Sequence, residues 1–179
     1  MSGKLTLISS ATASNSASVE FTSGIDSSYD EYVFYGVDIK QASTSSNFGF
    51  NASSDGGSNY NVVKTTTVFM DVNYEDASSY WLDYYPQKDL AQSTADQGIT
   101  ISNDSGSDAC VVFQMSLYSP SSTSKVKHFT ARGLAHSTHP SSFNLFVSGY
   151  LNTTSAVDAV KFLPTTSTFS GNIYLFGVS

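Results

Sequence analysis

The histidines His128, His136 and His139 are the first residues of this chain whose type and spacing could do chemistry. In "GLAHSTHP" His136 and His139 stand three apart, and such a pair with a third histidine on a neighbouring strand could chelate zinc. The pair lies neither on a helix nor two apart on a strand, so no regular element presets its geometry, and no cysteine accompanies it. Loop and surface histidines are the expectation, with no metal and no cofactor. Carboxylates cluster in "DVNYEDASSYWLDYY" as Asp71, Glu75, Asp76 and Asp83. Paired carboxylates beside aromatics suit a glycosidase cleft, but that chemistry also needs environments that push two carboxyl pKa values apart. The plainer reading puts Glu75 and Asp76 in a hairpin loop and Asp83 outward on a strand.

The stretch "SSDGGSNYN" at 53–61 sets Asp55 beside Gly56 and Gly57. A calcium loop would need several oxygen donors at fixed spacing followed by a glutamate, and these are missing. Gly-Gly supplies the positive φ of a tight reversal, so the stretch reads as a hairpin turn. There is no G-x-S-x-G nucleophile elbow, phosphate loop or dinucleotide fingerprint. The chain reads as non-enzymatic, with no catalytic or cofactor-binding residue.

Aromatics are the remaining candidates. "YWLDYY" packs Tyr80, Trp81, Tyr84 and Tyr85 into six residues. If Trp81 faces outward, then Trp81, Asp83 and Tyr85 form a strip with stacking surface and polar edges that could contact a glycan. The competing role is a core anchor with its indole N–H satisfied. Sequons at Asn51, Asn103 and Asn152 match the glycosylation pattern. The lone cysteine, Cys110, excludes an intrachain disulfide and reads as a small buried apolar residue in "ACVVFQMSLY".

Strands and the loops between them carry these residues. The chain has 179 residues, 40% of them hydrophobic and 13% aromatic, enough for a real core in one domain spanning 1–179. Turn residues recur every ten or so positions among β-branched and aromatic residues. "EYVFYGVDIK" sets Tyr32, Phe34, Gly36 and Asp38 on one face and Val33, Tyr35, Val37 and Ile39 on the other. "ACVVFQMSLY" turns Val111, Phe113, Met115 and Leu117 inward, and "FNLFVSGYL" does the same with Phe143, Leu145, Val147 and Leu151. "SKVKHFTAR" suggests a strand with one wet face. "YPQKDLAQST" at 85–94 suits a short helix or 3₁₀ turn, while "ASNSAS" and "ASTSSN" suit loops. About ten short strands and almost no helix predict an all-β, two-sheet antiparallel sandwich of jelly-roll or other Greek-key topology.

Charged residues make up only 13% of the chain, roughly half the share of an ordinary soluble domain, and hydroxyls replace them. That surface suits a protein that packs among neighbours or works in a harsh medium. The net charge is −7, and the one basic cluster is Lys125, Lys127, His128 and Arg132. Nucleic acid needs clustered cations facing phosphates, and an anionic membrane needs the same, so neither is expected as a partner. The opening "MSGKLTLISS" carries no signal-peptide core and nothing long enough to insert in a bilayer.

A series of segments occurs in order along most of the chain: "KLTLISS", "SSYDEYVFYGVDI", "FGFNASSDGGSNYN", "DLAQ", "STSKVKHFTA", "GYLNTTSAVDAVKF" and "SGNIYLFGV". Together they resemble small virion structural proteins of tailed bacteriophages, especially phages of aquatic bacteria. The resemblance implies a β-sandwich on the virion exterior, made in the host cytoplasm, as a capsid decoration (cement) protein or a tail-fibre domain. It brings no catalytic or binding residue to this chain. The partners it implies are other virion proteins, either the major capsid protein or tail proteins. Further copies of the chain are also implied, as a homo-oligomer such as a trimer. A fibre needs an attachment segment and a stalk, whereas this chain enters its first strand by Lys4 and ends in another. A decoration protein is therefore the expectation. The alternatives are a tail-fibre or receptor-binding domain, or a carbohydrate-binding module holding a host surface glycan through Trp81, Asp83 and Tyr85.

Overall fold

The computed structural model describes residues 3–44, 46–101, 106, 108–136 and 141–179. Among these the strands are β1 (Leu5–Ser16), β2 (Val19–Phe21), β3 (Glu31–Gln41), β4 (Phe48–Ser53), β5 (Lys64–Tyr74), β6 (Tyr80–Tyr84), β7 (Gln97–Gly98), β8 (Val111–Tyr118), β9 (Lys127–His136), β10 (Ser141–Leu151), β11 (Ala159–Pro164) and β12 (Phe169–Val178). A 3₁₀ turn at Pro86–Lys88 falls inside the predicted 85–94 stretch, with Pro86 fixing φ at its start. No helix of the described residues is long and apolar enough to cross a membrane.

All pairings are antiparallel and divide the strands between two sheets. The larger has the order β1-β12-β3-β8-β9-β10-β5-β6, the smaller β2-β11-β4-β7. Setting aside β5, β6, β9 and β10 leaves β1-β12-β3-β8 facing β2-β11-β4-β7, with consecutive strands alternating between sheets except at β4 and β7, which share the smaller one. That is the two-sheet strand order of a jelly roll, as the Greek-key expectation requires. The other strands are two insertions, β5–β6 and β9–β10, and both extend the same sheet.

Inward-facing residues follow the predicted parity. Val111, Phe113, Met115 and Leu117 are buried, as are Leu145, Val147 and Leu151, while Phe143 is half-buried against the same core. Phe162 of the small sheet meets Phe34 and Phe113 of the large one at ring-centroid distances of 5.2 and 5.1 Å. Burying each such ring contributes about 1.5–3 kcal/mol. The small sheet is too narrow to cover the added strands, so the 85–101 segment does so instead. Ile99 and Ile101 are buried there, and Gly133 on β9 lets the Ile99 carbonyl approach so closely that a Cβ would sit 2.0 Å from its oxygen.

Several expectations are corrected. Ile39 was assigned to the face of Val33 and Val37, yet it is fully buried with Phe34, because Asp38 adopts φ 54° and a bulge between Gly36 and Ile39 reverses the alternation. The 53–61 stretch turns as predicted, with Gly56 and Gly57 at φ 71° and 86°. It is not a hairpin: β4 pairs with β11 and β7, and β5 with β10 and β6, so the turn hands the chain from one sheet to the other. Asp55 anchors it by accepting from Ser53 Oγ at 2.7 Å and the Asn59 N–H at 2.8 Å. These bonds, Ser53's first, hold its carboxyl at a pKa of about 2. Most of "ASNSAS" is strand rather than loop, since β1 runs to Ser16. Cys110 is exposed, not buried, because it precedes inward-facing Val111 with the opposite parity. The strands number twelve among the described residues rather than about ten, β7 being two residues long.

Candidate functional site: the open face of the large sheet

One face of the large sheet packs on the core, and nothing among the described residues covers the other. Directly paired residues line up across that open face in a single row. Ser10 pairs with Tyr174, Tyr174 with Tyr35, Tyr35 with Gln114 and Gln114 with Arg132. Arg132 then pairs with Phe146, Phe146 with Phe69, and Phe69 with Tyr84. Opposed residues on one face of a sheet interact at 4.5–5.5 Å between Cβ atoms, so register alone places these side chains in contact range. The row crosses every strand of the sheet and contains one charged residue.

Its centre is ordered by specific contacts. The rings of Phe146 and Phe69 stack at 4.6 Å, and the Arg132 guanidinium lies 5.1 Å from the Phe146 centroid. Arg132 Nε donates to Asn144 Oδ1 at 2.8 Å, and Asn144 Nδ2 donates to Asp71 Oδ1 at 2.7 Å. Arg132 is thus tethered beside the aromatic surface through Asn144 and Asp71, within cation–π distance of Phe146. Shallow hollows of about 350, 380 and 420 Å³ dimple this face, one around Phe69, Arg132 and Phe146, one around Glu75, Leu134 and His136, and one around Thr65, His128 and Tyr150. At the margins, Tyr80, Leu82 and Tyr84 of edge strand β6 are exposed, as are Leu5 and Leu7 of edge strand β1. Isolated exposed apolar residues are ordinary; here they recur on both edge strands of one open face, which makes that face the candidate interaction surface.

The predicted site residues are distributed differently. Trp81 pairs with Val72 and Asp83 with Met70, so both point to the core side of β6. Trp81 and Tyr85 are half-buried against the core, while Asp83 is exposed. With Tyr80 and Tyr84 they line an open hollow of about 680 Å³ beyond the sheet edge. The residues of β6 that face solvent most fully have the other parity. Asp71 and Asp83 lie on opposite faces and cannot act as a carboxylate pair across one cleft. Glu75 lies 3.6 Å from His136, and Asp76 caps the turn by accepting the Ser78 N–H at 2.9 Å; the Ser78 hydroxyl first, and then this N–H, lower its carboxyl pKa.

His128 and His136 both lie on β9, eight residues and so about 27 Å apart at the rise of an extended strand. They cannot share an ion. His139 and Asn103 lie outside the described residues. Among those described, no three His, Cys, Asp or Glu side chains gather as a metal site. Asn51 is almost wholly buried and its amide is engaged at both ends, which leaves no room for a glycan, whereas Asn152 is exposed. Sequence reasoning missed the row itself, because its members come from eight separate strands. It also missed two lysines, Lys64 and Lys127, that are fully buried. The exposed parity of "FQMSLY", "HFTAR" and "LFVSG" was legible, but the register that joins them was not. No family model matches the chain, and no curated protein or solved structure matches it either.

Proposed function

We propose that the chain is a non-enzymatic structural protein of a bacteriophage virion. On this reading it is a capsid decoration protein on the particle exterior, docking on shell proteins and on its own copies through the open face of the large sheet. The observation that carries the assembly role is the nearly uncharged row from Tyr174 to Tyr84, bordered by edge strands that expose Leu5 and Leu7 on one side and Tyr80, Leu82 and Tyr84 on the other. Aromatic residues with a held arginine are the side chains enriched at the centre of protein interfaces. The hydroxyl-rich composition and the ordered segments resembling phage virion proteins support the placement on a particle. Jelly rolls build viral capsid and lectin domains alike, so the fold is compatible with this role by analogy only.

The test is the mass of the purified protein by light scattering at two concentrations, together with co-sedimentation on purified phage shells. A trimer or larger closed ring that binds shells supports the reading. A persistent monomer that stays in the supernatant defeats it. A second reading, carbohydrate binding, is favoured by the hollow that Trp81, Asp83 and Tyr85 line with neighbouring tyrosines. Its test is Trp81 emission during titration with oligosaccharides: a sugar-dependent shift supports a glycan platform, and an invariant spectrum rejects it.

A further inference from the structure

Lys64 opens β5 and is fully buried. Its Nζ donates to Asn51 Oδ1 at 2.7 Å and to the Val62 carbonyl at 2.9 Å. Asn51 lies on β4 in the other sheet, so the two side chains meet where the chain crosses between sheets. The Asn51 amide is gripped at both ends. Oδ1 also accepts the Ala52 N–H at 2.9 Å, while Nδ2 donates to Asp96 Oδ1 at 2.8 Å and to the Thr94 carbonyl at 3.0 Å. The Lys64 backbone is pinned in turn by paired bonds to Ser93 of 2.8 and 3.0 Å.

A buried lysine is ordinarily matched by a carboxylate on its own nitrogen. Here that nitrogen donates to two neutral acceptors, and Asp96, the carboxylate whose charge it feels, is bonded to the far end of the amide it touches. Burial lowers the Lys64 pKa to about 8, partly opposed by the charge of Asp96. A desolvated lysine is an activated nucleophile. Fixing it against an acyl group supplies the orientation that an intermolecular reaction lacks. The Ala52 N–H is placed to stabilise negative charge developing on Oδ1.

We propose that Lys64 and Asn51 join in an intramolecular isopeptide bond, with Asp96 as the proton carrier. The neutral Nζ attacks Asn51 Cγ, the carbonyl electrons move onto Oδ1, and Nζ gives up a proton that the Asp96 carboxylate accepts. Asp96 returns the proton to Nδ2, the Cγ–Nδ2 bond breaks, and Nδ2 leaves as ammonia. One amine and one primary amide become one secondary amide and ammonia, so no oxidant or further reactant is needed. Asp96 is itself exposed, which gives the ammonia a route to solvent. Lys127 is the internal contrast: it is equally buried, but its Nζ donates to the main-chain carbonyls of Lys125 and Thr153, each at 3.0 Å, with no side-chain amide in reach among its hydrogen-bond partners.

Intact-mass spectrometry of the full chain, followed by peptide mapping, tests the proposal. The expected mass is lower than the sequence mass by one ammonia, with a branched peptide that joins residues 51 and 64. Lys64→Met and Asp96→Asn are each expected to restore the full mass. The full sequence mass in the unsubstituted protein overturns the bond, whether or not the variants fold. Ammonia lost at another residue, or lost equally in Lys64→Met, overturns it as well. Undiminished loss in Asp96→Asn overturns Asp96 as the carrier.

Discussion

Phe69 and Phe146 face each other as directly paired residues of β5 and β10, their rings 4.6 Å apart and within 11° of parallel. Such stacking is usually hidden in a core, yet Phe69 is 44% exposed and its ring forms part of an open face. A prestacked pair loses little side-chain freedom on docking, which lowers the entropic cost of covering it.

Replacing Phe69 with Glu puts an unpaired charge at the centre of that face. The expected result is loss of self-association in light scattering, with a stability cost of about 1 kcal/mol from the lost stacking. An oligomer that survives the substitution would remove this face from the assembly.

Asn144 connects Arg132 to Asp71 and is only 8% exposed. Asn144→Leu keeps the volume but strands both partners. Hydrogen bonds to charged groups are worth about 1.5–3 kcal/mol. A urea midpoint lowered by about 2 kcal/mol of stability is expected, and an unchanged midpoint would show the line to be solvated ornament.

At Gly133 the limit is steric. An added Cβ would lie 2.0 Å from the Ile99 carbonyl oxygen, a backbone atom that cannot rotate away. Gly133→Ala should therefore cost about 1–3 kcal/mol, as overpacking does, in a chemical denaturation curve. A neutral result would mean that the 97–101 segment is not seated on β9.

Lys64 provides a pH signature wherever its amine remains free, as in Asp96→Asn. Burial lowers its folded pKa from 10.5 to about 8, and losing Asp96 removes the charge that opposed that shift. Between the two values the unfolded chain binds more protons than the folded one, so stability rises with pH across the window. Below it both states are protonated and the full burial penalty applies. The gain is on the order of 3 kcal/mol over about two and a half pH units. The bonded form has no amine to titrate and should lack this rise. Urea midpoints of both proteins at pH 7 and pH 10 make the comparison, and identical pH dependence would count against it.

Strand parity was readable where alternation ran unbroken, as at Val111–Leu117 and Leu145–Leu151. It failed at Ile39, because a single left-handed residue, Asp38, inverts everything after it, and periodicity carries no sign of such a bulge. Turn chemistry at Gly56–Gly57 was equally plain, but a tight turn does not say whether its flanking strands pair together or part to different sheets. Trp81 was named from composition, and its inward parity follows only from its pairing with Val72. The aromatic row and the Lys64–Asn51 contact depend on residues brought together by topology, so neither leaves a local pattern. Lys127 lies in a stretch read as having one wet face, and that reading holds for His128, Thr130 and Arg132. The lysine itself has the parity of Phe129 and points inward.

Among the described residues β1 has one strand partner, β12, and their pairing reaches from Leu5 to Val178. A nascent chain therefore carries β1 unpaired until β12 has been made, a long exposure for a twelve-residue strand. Between Ser9 and Ser16 that strand is "SSATASNS", with no large apolar side chain. Segments this polar are poor templates for intermolecular sheet growth. The hydroxyl run that looks like idle surface in the finished fold also acts as a safeguard during synthesis, keeping this part of β1 inert until β12 arrives.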